Sequence, residues 1–195
     1  EGDVVHVSVL PVGAEYITND IAIALRTSID VAEKMKLRYG TASVSRVEKG
    51  LKLSVIEFGG MGDESCTHTF LTNVIRARCE EIFELVDAEL VKIDRSGLLP
   101  GGAFLAGGGA RLSGIAEVAK NILRLPVTPG TPLGVTSAVE QINDVAFSTA
   151  IGLVKWAEDI QAQAGANMLS SMLGKMGSVG GVGHMVKGWL KELMP

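Results

Sequence analysis

The sequence predicts an α/β domain followed by a Gly-rich linker and a terminal amphipathic helix. Short β-branched or apolar runs alternate with segments whose apolar residues recur at helical spacing, the pattern of an α/β fold. Composition shifts over 161–183, which hold six glycines, three methionines and few charges. Residues 184–195 then separate apolar from basic side chains around a helical wheel. With 195 residues, 47% apolar and 21% charged, the chain is long enough and ordinary enough to bury a core. A formal net charge of −4 argues against general nucleic-acid binding. No run of 18 apolar residues occurs, so no segment reads as a membrane-spanning helix.

Val4 to Leu10 is β-branched, closes on Pro11 and Gly13, and reads as a strand. Glu1-Gly2-Asp3 runs straight into it without a methionine, so the chain is expected to be the C-terminal part of a longer protein. Ile17, Ile21, Ala24 and Leu25 predict a helix that breaks near Thr27-Ser28. Ser28 is placed to cap a second helix, carried by Ile29, Ala32 and Met35 and stopped at Gly40. Strands are expected over Ala42 to Glu48 and Leu51 to Phe58, turned by Lys49-Gly50. A long helix is expected from Thr67 to Arg95, with Leu71, Ile75, Cys79, Ile82, Val86, Leu90 and Ile93 as its apolar stripe. Ala103 to Ala106 is a short strand entering Gly107-Gly108-Gly109. A helix over Ser113 to Arg124, a strand stub at Val127-Thr128 and a helix over Asp144 to Ile160 complete the domain. Met168, Leu169, Met172, Leu173 and Met176 allow a transient apolar turn, or simply lie in a flexible tether.

On a wheel of about 100° per residue, Val182, Met185, Val186, Trp189, Leu190 and Leu193 share one half. His184, Lys187, Gly188 and Lys191 take the other. A tryptophan beside lysines on a short terminal helix suits in-plane binding to a membrane surface. Docking on the chain's own domain or on a partner is the alternative. Such a helix binds weakly, so stable attachment would need many copies acting together.

Two cysteines, Cys66 and Cys79, lie outside any CxxC pair, which fits free thiols in a reducing compartment, a mutual bridge being the other option. His6, His68 and His184 are scattered, and no metal site and no catalytic residue is assigned. Leu105 to Leu112 is a strand, a glycine turn and a helix start. Such a turn lets backbone approach a ligand closely, or simply packs strand on helix. It is neither GxGxxG nor a Walker A sequence.

Four ordered blocks carry a more specific signal. Leu10-Pro11-Val12-Gly13 leads to Ile17-Thr18-Asn19-Asp20-Ile21-Ala22; Ala32-Glu33-Lys34-Met35-Lys36 ends in Tyr39-Gly40. Leu105 to Leu112 is followed by Gly114-Ile115, and Phe147 to Val154 closes the series. Together they resemble the C-terminal half of the bacterial FtsA cell-division family, within the actin, sugar-kinase and chaperone ATPase superfamily. The resemblance implies an α/β, actin-like (ribonuclease-H-like) subdomain IIA with an inserted subdomain IIB, plus the C-terminal amphipathic helix. Subdomain IIA would occupy 1–27 and 97–160, IIB 28–96, the flexible linker 161–183 and the membrane-targeting helix 184–195.

By the same resemblance, ATP is the expected ligand, with magnesium in the full-length parent. Glu33 and Lys36 would touch ribose and the adenine edge, with Gly107, Gly108, Gly109 and Arg111 as the other wall. Taken without the resemblance, Glu33 and Lys36 read as a solvated i,i+3 ion pair. The family docks the C-terminal peptide of the tubulin-like FtsZ on the long helix, which points to Arg76, Arg78 and Glu81. Arg78 would pair with an acidic peptide, or else locally with Glu81 or another glutamate. Ala77 stands where family members often carry proline. Met185, Val186, Lys187, Trp189, Leu190, Lys191 and Leu193 would meet the lipid surface.

The superfamily's Gly-rich D-x-G-G-G-T phosphate segment is absent from the sequence. The chain by itself is therefore expected neither to hold ATP tightly nor to hydrolyse it. The implied role is an adaptor and not an enzyme, forming actin-like filaments with copies of itself. It would tie FtsZ to the cytoplasmic face of the cell membrane at the division septum and contact other division proteins. A pilus-assembly scaffold like PilM and a superfamily phosphotransferase are the alternatives. The former lacks such a tail, and for the latter the sequence offers no paired carboxylates.

Overall fold

The computed structural model describes residues 4–61, 63–133, 144–158 and 160–161. The tail over 184–195 and all but residue 161 of the expected linker lie outside the described residues. The chain divides at residue 149 into two units; the described residues up to 149 form one, and of the second, 150–158 and 160–161 are described and helical.

Helical spacing and capping account for the first two helices. Helix α1 (Ala14–Ala24) buries Ile17, Thr18, Ile21 and Ala22. Helix α2 (Ile29–Tyr39) opens on Ser28, whose hydroxyl accepts from the Val31 amide at 3.4 Å. Asp30 in its first turn and Lys36 and Arg38 in its last complement the helix dipole. Gly40 stops it through space rather than through a left-handed turn, because its φ is −68°. A Cβ there would lie 2.2 Å from the Lys36 carbonyl oxygen.

Three expected strands are corrected. Val4 to Leu10 is not a strand: no described strand pairs with it, and Val4, Val5, Val7 and Val9 are exposed. β-branched residues favour extended backbone, but only a ladder partner makes a strand. Residues 42–48 hold only a turn of 3-10 helix at Val44–Arg46, and the single parallel bridge nearby, Thr41 to Ser113, falls just before them. Here side chains compete with the ladder: the Ser43 amide donates to Thr41 Oγ1 at 3.1 Å, and the Ser43 hydroxyl to Glu117 at 2.8 Å. Of Leu51 to Phe58, only β1 (Lys52–Ser54) is a strand, and Val55–Phe58 is 3-10 helix. The partner of β1 is β2 (Ser65–Thr67), antiparallel, so Lys49-Gly50 turns the chain without closing a hairpin.

Helix α3 (His68–Lys92) starts on Thr67, whose hydroxyl accepts from the Phe70 amide at 3.1 Å. Its buried row is Leu71, Ile75, Cys79 and Phe83, so Phe83 takes the core place expected of Ile82. Strand β3 (Ala103–Leu105) pairs in parallel with β4 (Val127–Pro129), and helix α4 (Ile115–Leu123) crosses between them. Asp144 caps a 3-10 turn at Val145–Phe147 through the Ala146 amide at 2.8 Å, and helix follows from residue 148. The core joins α1, α2, α3 and α4 around Ile17, Ile21, Met35, Leu71, Ile75 and Leu123.

Candidate functional site

Glu33 and Lys36 lie one turn apart on α2, where α1 packs against it. Lys36 Nζ stands 2.6 Å from Glu33 Oε2. Thr18 of α1 enters between them: its hydroxyl donates to Glu33 Oε2 at 2.5 Å and accepts from Lys36 Nζ at 2.7 Å. Lys36 also reaches the Ala14 carbonyl at 3.4 Å. The lysine side chain is only 12% exposed, so the pair is more than a solvated rung on a helix surface. Burial pushes the Glu33 carboxyl upward, but the hydrogen bonds from Lys36 and Thr18 and the Lys36 charge outweigh it. The result is a carboxylate held below its ordinary range.

The facing wall comes from the glycine turn. Gly107 adopts φ +93°, and the 3-10 turn Gly108–Arg111 brings bare backbone toward α1. A Cβ on Gly109 would meet the Ala14 methyl at 3.3 Å. The Arg111 guanidinium donates through Nε to Asp144 Oδ1 at 2.7 Å. The hydrogen bond from Arg111 and that from the Ala146 amide hold the Asp144 carboxyl below its usual range.

Between these walls lies a cleft of about 900 Å³. Glu33, Lys36, Gly108, Gly109 and Arg111 all line it. Gly107, the remaining glycine expected at the site, is not among the lining residues, and its amide donates to the Val145 carbonyl at 2.9 Å. Thr18 and Asn19 also line the cleft but were not singled out from the sequence. Their signal was present in the Ile17-Thr18-Asn19-Asp20 run, yet a threonine in an apolar helix stripe has no local mark of polar duty. Among the described residues, no group of three or more His, Cys, Asp or Glu side chains is placed to hold a metal ion.

The α3 residues form a different constellation. Arg78 grips Asp20 of α1 with two bonds, Nε to Oδ2 at 2.5 Å and Nη2 to Oδ1 at 2.8 Å. Its Nη1 donates to Glu81 at 2.6 Å, and its guanidinium lies 5.6 Å from the Tyr16 ring centre. Arg76 pairs instead with Glu80, one turn on, at 2.7 Å. Met185, Val186, Lys187, Trp189, Leu190, Lys191 and Leu193 lie outside the described residues. No described helix is long and apolar enough to cross a membrane.

The structure is similar to MreB5 of Spiroplasma citri bound to AMPPNP, with a TM-score of 0.56 at 19% identity, covering 83% of this chain and 50% of that one. The fold is therefore actin-like. Residues 1–152 match the family model for the cell division protein FtsA. Curated FtsA proteins align in sequence: that of Neisseria meningitidis is 38% identical over 160 residues, 78% of this chain and 37% of its own length. That of Rhizobium meliloti is 31% identical over 197 residues, 98% of this chain and 44% of its own length. The chain belongs to the FtsA cell-division family, and spans less than half the length of these relatives.

Proposed function

We propose that this chain supplies one side of a nucleotide cleft in an actin-like cell-division scaffold that anchors FtsZ filaments to the cytoplasmic membrane. The observation that carries the reading is the convergence of Glu33, Lys36, Gly108, Gly109 and Arg111 on one cleft. The nucleoside end of ATP suits these groups. A fixed carboxylate accepts hydroxyl protons, Lys36 donates, and side-chain-free backbone at Gly108 and Gly109 admits a flat base. The phosphate end suits them less. Lys36 and Arg111, the cations on the lining, are already bonded to Glu33 and Asp144. When bound, the nucleotide would act as a ligand that joins subdomains and favours polymerisation, with its phosphates and magnesium held by parts of the full-length protein beyond this chain. The chain is read as a scaffold component rather than an enzyme.

The membrane reading rests on the tail sequence, where Met185, Val186, Trp189, Leu190 and Leu193 oppose Lys187 and Lys191. Weak single anchors become one firm but reversible attachment when filaments present many of them. That places the protein on the inner face of the membrane at the septum, with FtsZ, lipid, other copies of itself and other division proteins as partners. The partner reading assigns the acidic FtsZ peptide to the α3 surface around Arg76, Arg78 and Glu81.

Two measurements test this. The chain alone should bind ATP no more tightly than millimolar; micromolar binding would show that it needs no further phosphate loop. In the full-length protein, deletion of residues 184–195, or Trp189→Glu, should abolish liposome co-sedimentation and the recruitment of FtsZ to vesicles. Unchanged recovery with either variant would refute the anchoring mechanism.

A further inference from the structure

We propose that Thr18 is a positioning residue for the cleft, locking one oxygen of Glu33 so that the other is presented to a ligand bearing vicinal hydroxyls. The inference rests on the nucleotide reading of the cleft and adds the device that orients its recognition carboxylate. A hydroxyl has one proton to donate and lone pairs to accept with. Thr18 gives its proton to Glu33 Oε2 at 2.5 Å and takes one from Lys36 at 2.7 Å. Lys36 also reaches the same Oε2 at 2.6 Å. Two donors therefore converge on one carboxylate oxygen, while Oε1 has no described protein partner and its side chain is 40% exposed along the cleft.

Burial makes this arrangement specific. Thr18 is only 3% exposed and sits in the apolar stripe of α1 beside Ile17 and Ile21. A valine would fill the same volume, so packing does not call for the hydroxyl. The hydroxyl spans two helices, α1 and α2, and fixes the carboxylate plane relative to both. Without it, Lys36 alone would hold Glu33, and a flexible lysine tolerates rotation of the carboxylate that a buried threonine does not. A ribose with adjacent 2′ and 3′ hydroxyls offers two donors to a single oriented oxygen, and a deoxyribose offers one. Thr18 thus governs discrimination between these sugars more than overall affinity for phosphates.

The test uses the full-length protein and measures equilibrium binding of ATP and 2′-deoxy-ATP. Thr18→Val should weaken ATP binding about tenfold, on the order of one charge-assisted hydrogen bond, and bring the ATP to 2′-deoxy-ATP preference toward unity. Thr18→Ser should restore both. Glu33→Gln is the control on the underlying reading: if it leaves ATP binding and sugar preference unchanged, the cleft does not recognise ribose at all. If Glu33→Gln abolishes the preference and folded Thr18→Val retains it, the positioning role is overturned while the cleft reading stands. Should Thr18→Val fail to fold by circular dichroism, Thr18→Ala is read in its place, and retained preference again overturns the proposal.

Discussion

The bond between Arg78 and Asp20 decides what α3 can offer to a partner, and it has a measurable energy. The two side chains are 21% and 25% exposed, and two parallel N–H to oxygen bonds join them across α3 and α1. At a charge separation of about 4 Å and an effective dielectric constant of about 20, Coulomb attraction is about 4 kcal/mol. Desolvation and the ordering of the arginine remove most of it. Fully exposed pairs retain only about 0.2–1 kcal/mol; two-point geometry and partial burial raise the expected net coupling to about 1–2 kcal/mol. A double-mutant cycle with Asp20→Asn and Arg78→Met, read by urea denaturation at low salt, should return that coupling. A value under about 0.3 kcal/mol would refute the clamp and leave α1 and α3 joined by apolar packing alone. The same variants separate two roles for Arg78 in binding an acidic FtsZ peptide. If the arginine acts by holding α3 in place, Asp20→Asn weakens the peptide as Arg78→Met does. If it touches the peptide directly, Asp20→Asn frees the guanidinium and strengthens binding.

Gly40→Ala should destabilise the fold by about 1–3 kcal/mol in urea denaturation, because its Cβ would lie 2.2 Å from a backbone oxygen of α2 that cannot swing aside. A shift below a few tenths would show that the helix end yields freely. Glu33 contributes stability that is fully present above its ordinary value of 4.5 and is lost as pH falls through its lower folded value. Glu33→Gln should accordingly flatten the acid limb of the stability profile below pH 4.5; an unaltered limb would contradict the Thr18–Glu33–Lys36 tie. Burial pushes the Cys79 thiol up to about 12, and burial raises Cys66 as well. Neither should react with a maleimide at pH 8 until urea is added, and prompt native labelling of Cys79 would contradict its place in the core.

Helices were readable where their causes are local. Ser28 caps α2 as its position suggests, Thr67 caps α3 where the spacing makes it the first helical residue, and Leu71, Ile75 and Cys79 are buried as spaced. A helix closes its hydrogen bonds within four residues, and caps act within three, so the information is adjacent in the chain. Strands were less readable. Residues 42–48 have the composition of a strand, but the Ser43 hydroxyl finds Glu117, 74 positions away, and the ladder does not form. Likewise β1 pairs with β2 rather than with the run before it.

The sequence by itself determined the family through its ordered blocks, the main helices, the glycine turn and the pair Glu33 and Lys36. Only the tertiary structure decided that Gly108, Gly109 and Arg111 face that pair across one cleft. It also decided that Thr18 ties the pair together, and that Arg78 is committed to Asp20, 58 residues earlier. The physical reason is range. Propensity, capping and turn chemistry are set by neighbours, whereas a buried hydroxyl or an ion pair is defined by whichever distant group folding brings within about 3 Å.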